Sequence, residues 1–378
     1  MTFVKEDALL PEGFRDLLPP DAGREAAVVE GLMGSFARHG YDRVKPPLME
    51  FETSLLTGAG AAMSAHIFRL MDPVSQRMMG LRADMTPQVA RIAAARLAGV
   101  ARPLRLSYAG QVLRVRGTAL QPGRQLGQVG AELIGAEGPA ADAEAIVVAA
   151  EGLAAVGIGA ITVDLNIATL VPGVAASLGL AADKAAALTL ALDRRDAGEC
   201  RRLLGRDVAL IDRLLAVSGE AGTALKALAA IDLPADAAAS REELVAVVDA
   251  VRRAAPELTL TVDPLEHRGF EYHTGVGFSL FAPSARGELG RGGRYLSAAG
   301  DPSTGFSLYL DAVLQALPAA ARMRRIYLPA GSDRARGAAL RADGWITIAG
   351  LAPSRDNAAE AKRLGCDHWL DGDRPLPV

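Results

Sequence analysis

The chain reads as an α+β fold, a mainly antiparallel sheet flanked by helices, with a helical insertion and a small C-terminal α/β tail. Three observations predict it. Strand-like runs recur on both sides of residues 168–255, so one sheet is expected to be built from both flanks. The block between them is rich in Ala, Leu, Asp and Arg with few aromatic or β-branched clusters, and reads as inserted helices. Residues 322–378 alternate strand and helix in the order β-α-β-α-β, which implies a small parallel sheet. The expected division is therefore a larger domain over 1–320 and a short tail over 322–378.

Each element has a local reason. Residues 21–39 predict an amphipathic helix with Asp21 as N-cap and Gly40 as its stop. Residues 41–47 predict a strand ending in two prolines, which suits a sheet edge or a seam between subunits. The apolar runs 66–71 and 77–82 flank Asp72-Pro73-Val74-Ser75 and predict a hairpin. Thr86-Pro87 opens a helix to about Leu97, with the proline in its first turn. Strands are expected at 103–116, 127–134 and 160–166, around an Ala/Val-rich helix at 139–156. Beyond the insertion, strands are expected at 258–263 and 275–281, and a last helix near Ser307. In the tail, strands at 325–329, 345–349 and 367–370 alternate with helices at 333–342 and 356–364.

Composition narrows the function. Half of the 378 residues are hydrophobic, ample for a large core. The net charge is −3, so the global basic footprint of a tRNA-gripping surface is missing. Cys200 and Cys366 lie far apart, which predicts a reducing compartment, the cytoplasm, and no disulfide framework. The five histidines show no metal spacing, and no cofactor is expected. Residues 1–12 carry acids and no long apolar run, so no signal peptide is expected, and no uninterrupted apolar stretch of the chain reaches about 18 residues, so no membrane span is expected.

Chemistry-bearing residues cluster in a few segments. In Leu-Arg-Ala-Asp-Met-Thr (81–86), Asp84 and Thr86 stand at a strand-to-helix junction, where they can hold an ammonium group or simply cap the helix. Gln128 and Glu132 lie four apart in a strand, hence on one face, which is either solvated or lines a polar pocket. Arg268 can pair a carboxylate bidentately. Gly290, Gly292 and Gly293 permit close backbone approach to a ligand, or mark a turn.

Together these segments resemble, in order and spacing over roughly residues 10–320, the histidyl-tRNA synthetases of class II. Residues 41–50 resemble the first class II motif, which builds a dimer interface. Residues 81–86 resemble the family's Leu-Arg-Pro-Glu-Gly-Thr, with Asp84 in place of the glutamate. Leu113-Arg114 resembles the Phe-Arg of the second motif, and 124–132 its continuation, keeping Gln128 and Glu132. Arg268-Gly269-Phe270-Glu271-Tyr272-His273 resembles Arg-Gly-Leu-Asp-Tyr-Tyr of the histidine signature. The resemblance implies a pocket for L-histidine made by Asp84, Thr86, Arg114, Gln128, Glu132, Arg268, Tyr272 and His273. In it Asp84 faces the ammonium group, Glu132 the imidazole and Arg268 the carboxylate.

The departures lie on the nucleotide side. Arg116 stands where the second motif has a glutamate, and Ala312 where the third has its phosphate-binding arginine. The tail is shorter than the family's anticodon-binding domain. A group within the family with these features is the regulatory subunits of ATP phosphoribosyltransferase. The resemblance thus implies a non-catalytic homodimer that joins the short-form catalytic subunit as a hetero-oligomer. It would activate the first step of histidine biosynthesis and relay feedback inhibition by histidine, with no tRNA and no membrane among its partners. The alternatives are a divergent histidyl-tRNA synthetase, which the missing arginine opposes, and a standalone histidine-binding protein.

Overall fold

The computed structural model describes residues 9–117, 122–205, 208–267, 272–319 and 323–378. The chain divides into two compact units, Met1–Leu317 and Pro318–Val378. The first unit opens with α1 (Asp21–Arg38), whose Val28, Leu32, Met33 and Phe36 are buried as one helical stripe. Pro20, not Asp21, is its N-cap, and Asp21 lies in the first turn, where a carboxylate complements the helix dipole. Gly40 follows the helix with a φ of +81°, a conformation cheap only for glycine.

The expected strand at 41–47 shrinks to β1 (Asp42–Arg43), because Pro46 and Pro47 cannot donate to a ladder. Next come β2 (Met49–Phe51), α2 (Glu52–Leu55), β3 (Phe68–Met71) and β4 (Met78–Leu81). The three strands β2-β4-β3 form a small antiparallel sheet in that order. The Asp72 carboxylate closes its hairpin by accepting the Val74 and Ser75 N–H groups, each at 3.1 Å. Then follow α3 (Thr86–Ala95), β5 (Leu104–Leu113), β6 (Gln125–Ile134), α4 (Pro139–Ala155) and β7 (Thr162–Ile167). The insertion holds α5 (Leu170–Ser177), α6 (Ala182–Asp193), α7 (Ala197–Leu204), α8 (Val208–Leu215), the short β8 (Gly219–Glu220), α9 (Ala221–Ala229) and α10 (Ala235–Ala254).

The sheet resumes with β9 (Thr259–Val262), β10 (His273–Phe281), β11 (Gly290–Leu296) and β12 (Pro302–Tyr309), before α11 (Leu310–Ala316). The last helix of this unit thus starts at Leu310, not near Ser307, because β12 stays extended between β6 and β11 through Leu308 and Tyr309. The large sheet runs β1-β5-β6-β12-β11-β10-β7-β9-β8. It is antiparallel except where β1 meets β5 and β7 meets β9.

Its two faces differ in kind. Val129, Ala131, Phe306, Leu308, Phe278, Leu280, Val163 and Leu165 point into the main core with α1, α4 and α10. Small side chains let α4 pack closely there, and a Cβ on Gly152 would sit 2.6 Å from the Phe36 ring. The opposite face carries Gln128, Glu132, Ser307, Arg291, Ser279 and Asp164, and it positions the candidate site.

The second unit contains β13 (Arg325–Leu328), α12 (Arg334–Ala342), β14 (Ile346–Ala349), α13 (Asn357–Arg363), β15 (His368–Asp371) and β16 (Arg374–Pro377). Asp333 and Asp356 cap its helices by accepting backbone N–H groups. β14, β13 and β15 run parallel, as βαβ connections require. β16, which sequence reasoning missed, adds antiparallel to β15.

Candidate functional site

The centre of the polar face is built by register. Gly130 lies between Tyr108 of β5 and Ser307 of β12, and Glu132 lies opposite Gly305. The glycines are sterically necessary. A Cβ on Gly130 would sit 2.5 Å from the Tyr108 hydroxyl, and one on Gly305 would sit 1.9 Å from Glu132 Oε2.

Glu132 is 1% exposed and its two oxygens are answered by hydroxyls. Oε1 accepts from Thr86 Oγ1 at 2.9 Å and from the Tyr108 hydroxyl at 3.0 Å, and Oε2 accepts from the Tyr295 hydroxyl at 3.0 Å. Burial pushes the Glu132 carboxyl up to about 8 against those hydrogen bonds, and the nearby Asp84 charge adds to the rise. The group therefore holds a proton over much of the neutral range. Burial and the neighbouring carboxylates raise Tyr108, Tyr272 and Tyr295, so all three phenols stay neutral.

Gln128 forms the second hub. Its Oε1 accepts the Met85 N–H at 3.0 Å, while Nε2 donates to Asp84 Oδ1 and Ser307 Oγ, each at 2.7 Å. Asp84 Oδ1 also accepts the Thr86 N–H at 3.1 Å. Asp84 therefore serves the helix start and the network together. Four predicted residues, Asp84, Thr86, Gln128 and Glu132, fall into one connected cluster.

The remaining predicted residues are placed less centrally. Tyr272 and His273 stack with ring centroids 4.3 Å apart, and Tyr272 meets Tyr295 edge-on at 6.1 Å, which brings both beside the Glu132 network. Arg114 is half-buried beyond β5, and its charge reaches the network through Tyr309, which pairs with Gln128. Arg268 lies outside the described residues.

Sequence reasoning missed Tyr108, Tyr295 and Ser307, though Tyr295 and Ser307 lie within stretches rich in motif glycines. It also missed Arg291, which pairs with Glu288 on the same face and acts electrostatically on Tyr309 and Tyr272. Arg291 faces Ser307 and Ser279, a placement that needs the ladder registers. The arrangement offers carboxyl, carboxamide and hydroxyl groups as hydrogen-bond partners to a small polar ligand. Among the described residues no trio of His, Cys, Asp or Glu is placed to hold a metal ion.

On the opposite flank, Ala312 is half-buried in α11 against the core and carries no charge. Its neighbour Asp311 pairs with Arg15 at 2.8 Å, and Arg116 is exposed, whereas Glu132 is buried. Arg124 lies between the Phe14 and Phe68 rings, 5.0 Å from each centroid.

Residues 13–313 match the family model described as histidyl-tRNA synthetase. A protein of Paramagnetospirillum magneticum named "ATP phosphoribosyltransferase regulatory subunit" is 55% identical over 378 residues, covering 100% of both chains. A Rhodospirillum centenum protein of the same name is 55% identical over 97% of this chain and 95% of its own. The solved structure of an ATP phosphoribosyltransferase regulatory subunit/histidyl-tRNA synthetase from Bacillus halodurans superposes with a TM-score of 0.79. At 24% identity, over 94% of this chain and 96% of that one, it shows the shared fold.

Proposed function

Since the chain belongs to the ATP phosphoribosyltransferase regulatory subunits, within the histidyl-tRNA synthetase family, we propose that it activates a short-form catalytic subunit and relays feedback inhibition by L-histidine. The observation that carries this reading is the contrast across the site. The amino-acid side is a connected buried network, whereas the third-motif helix presents Ala312 where a phosphate-binding guanidinium would be needed. Binding without adenylation is the chemistry that remains.

Histidine sits among Asp84, Thr86, Arg114, Gln128, Glu132, Arg268, Tyr272 and His273. Asp84 receives its ammonium group, and Gln128 holds Asp84 in place for that contact. Glu132 receives an imidazole N–H in exchange for one of its hydroxyl donors. Arg268 takes the carboxylate. tRNA is not a ligand, and the complex works in the cytoplasm. The chain forms a homodimer through residues 41–50 and the preceding helix α1, where β1 is a sheet edge and Pro46 and Pro47 cannot donate to a ladder. A monomer in sedimentation experiments would contradict the dimer.

The deciding experiment assays ATP phosphoribosyltransferase activity of the short catalytic subunit with and without this chain, across a histidine titration. Activity should rise on adding the chain and fall with histidine. Asp84→Ala should move inhibition to higher histidine while activation persists. An unmoved midpoint would locate the sensor on the partner.

A further inference from the structure

The loop that carries Asp84 and Thr86 joins β4 to α3, and buried side chains grip it at both ends. Arg82 precedes it and is 6% exposed, and Gln88 follows it and is 1% exposed. Both reach the same neighbour, the Pro46-Pro47 segment. Arg82 Nη1 donates to the Pro46 carbonyl at 3.0 Å, and Gln88 Nε2 donates to the Pro47 carbonyl at 2.8 Å. Arg82 Nη1 also lies 3.4 Å from the Pro47 carbonyl and 3.5 Å from Gln88 Oε1, so the two side chains form one clamp. A proline has no N–H to give, and its carbonyl is its one main-chain hydrogen-bonding group. The clamp answers both of these carbonyls.

The clamp is tied to the large sheet as well. Arg82 Nε donates to the Gln111 carbonyl of β5 at 2.7 Å. The Arg82 N–H donates to the Leu48 carbonyl at 3.1 Å, and its carbonyl accepts the Leu113 N–H at 2.9 Å. Gly110 makes room for the guanidinium, since a Cβ there would sit 2.3 Å from Arg82 Nη2. Gly110 lies opposite Gln128, whose carboxamide donates to Asp84.

Among the described residues Arg82 makes no ion pair, and its side-chain partners are three carbonyls and a carboxamide. Desolvating a charge against neutral partners costs free energy that a methionine of similar length would not incur. The arginine supplies direction instead, because its planar fork of donors fixes several oxygens relative to one another. Asp84 is the group that this geometry aims. Its Oδ1 accepts from the Gln128 carboxamide and the Thr86 N–H, and its Oδ2 accepts no hydrogen bond among the described residues. Asp84 lies two positions after Arg82 and four before Gln88, so a shift of either anchor re-aims Oδ2.

We propose that Arg82 and Gln88 are positioning residues that hold the 83–87 loop on the Pro46-Pro47 backbone, so that Asp84 Oδ2 faces the ammonium group of the ligand. They touch no ligand themselves and act through Asp84. The proposal rests on the reading that histidine occupies the Glu132 pocket with its ammonium group at Asp84.

The test compares L-histidine with imidazolepropionate, which lacks only the ammonium group, by calorimetry on the full chain. Wild type should prefer L-histidine by about tenfold or more, the worth of one hydrogen bond to a charged group. Arg82→Met and Gln88→Leu should each cut that preference to about threefold or less, while affinity for imidazolepropionate stays within about twofold. Equal weakening of both ligands would show a merely structural role and overturn the proposal. An unchanged preference in both variants would overturn it too, and would leave the histidine reading standing. Where Arg82→Met does not fold, Gln88→Leu decides alone, because leucine keeps the volume of the side chain it replaces. If wild type binds neither ligand, the histidine reading fails and the proposal falls with it.

Discussion

The Glu132 cluster and the stretch that carries Ala312 lie in the same unit and use ionisable groups in opposite ways. Around Glu132, Tyr108 is 0% and Tyr295 2% exposed, and the carboxylate is answered by hydroxyls rather than by a cation. Near Ala312, Asp311 pairs with an Arg15 side chain that is 69% exposed. The difference teaches where binding energy can reside. A buried carboxyl with fixed donors discriminates strongly among ligands, because every unmatched group costs its desolvation. A solvated ion pair contributes little and specifies less.

The largest expected effect comes from breaking the packing that seats Glu132. Gly305→Ala would put a Cβ 1.9 Å from Glu132 Oε2 and 2.7 Å from the Ala131 carbonyl. We expect a loss of about 3 kcal/mol or more in denaturant titration. Gly99→Ala, which meets nothing within 4 Å, should stay within about 0.5 kcal/mol. Equal effects at both positions would dissolve the contrast.

Next in size, Glu132→Ala should weaken histidine binding by about 1–3 kcal/mol in calorimetry. Unchanged affinity would remove Glu132 from the ligand site. The pH dependence of folding sharpens the same point. The folded Glu132 carboxyl titrates at about 8 against an ordinary value of 4.5, so between these values the native state binds more protons than the unfolded chain. Its contribution to stability therefore falls as pH rises from 4.5 toward 8 and levels off above that. Denaturation midpoints of Glu132→Gln measured across this range should lack that decline.

The smallest effects belong to the other region. Asp311→Asn removes the Arg15 pair and should change stability by less than about 1 kcal/mol in thermal melts. Histidine-dependent ATP–pyrophosphate exchange should be undetectable in the purified chain, because no guanidinium at position 312 can hold the phosphates. Exchange at synthetase-like rates would reverse the assignment of the two sides.

Much of the fold and half of the candidate site are legible in the sequence. Period-two alternation puts Gln128 and Glu132 on one face, and both are buried there. Thr86-Pro87 announces the helix that begins at Thr86, and the hairpin around Asp72 follows from its turn residues. The motif resemblance leads to the family. The N-cap expected at Asp21 and the helix expected near Ser307 both shift for one physical reason. Local composition permits several boundaries, and at the second of them pairing with β6 and β11 decides in favour of strand through Tyr309.

What the sequence determined alone was the element order, the insertion, the sharing of a face by residues two or four apart, and the absence of an arginine at 312. Only the tertiary structure decided which strands lie side by side, since strand neighbours need not be neighbours in the chain. That choice set Tyr108 and Ser307 on either side of Gly130 and brought Tyr295 to Glu132. It also took Glu132 out of water, and burial is what turns an ordinary carboxylate into one that holds its proton to about pH 8.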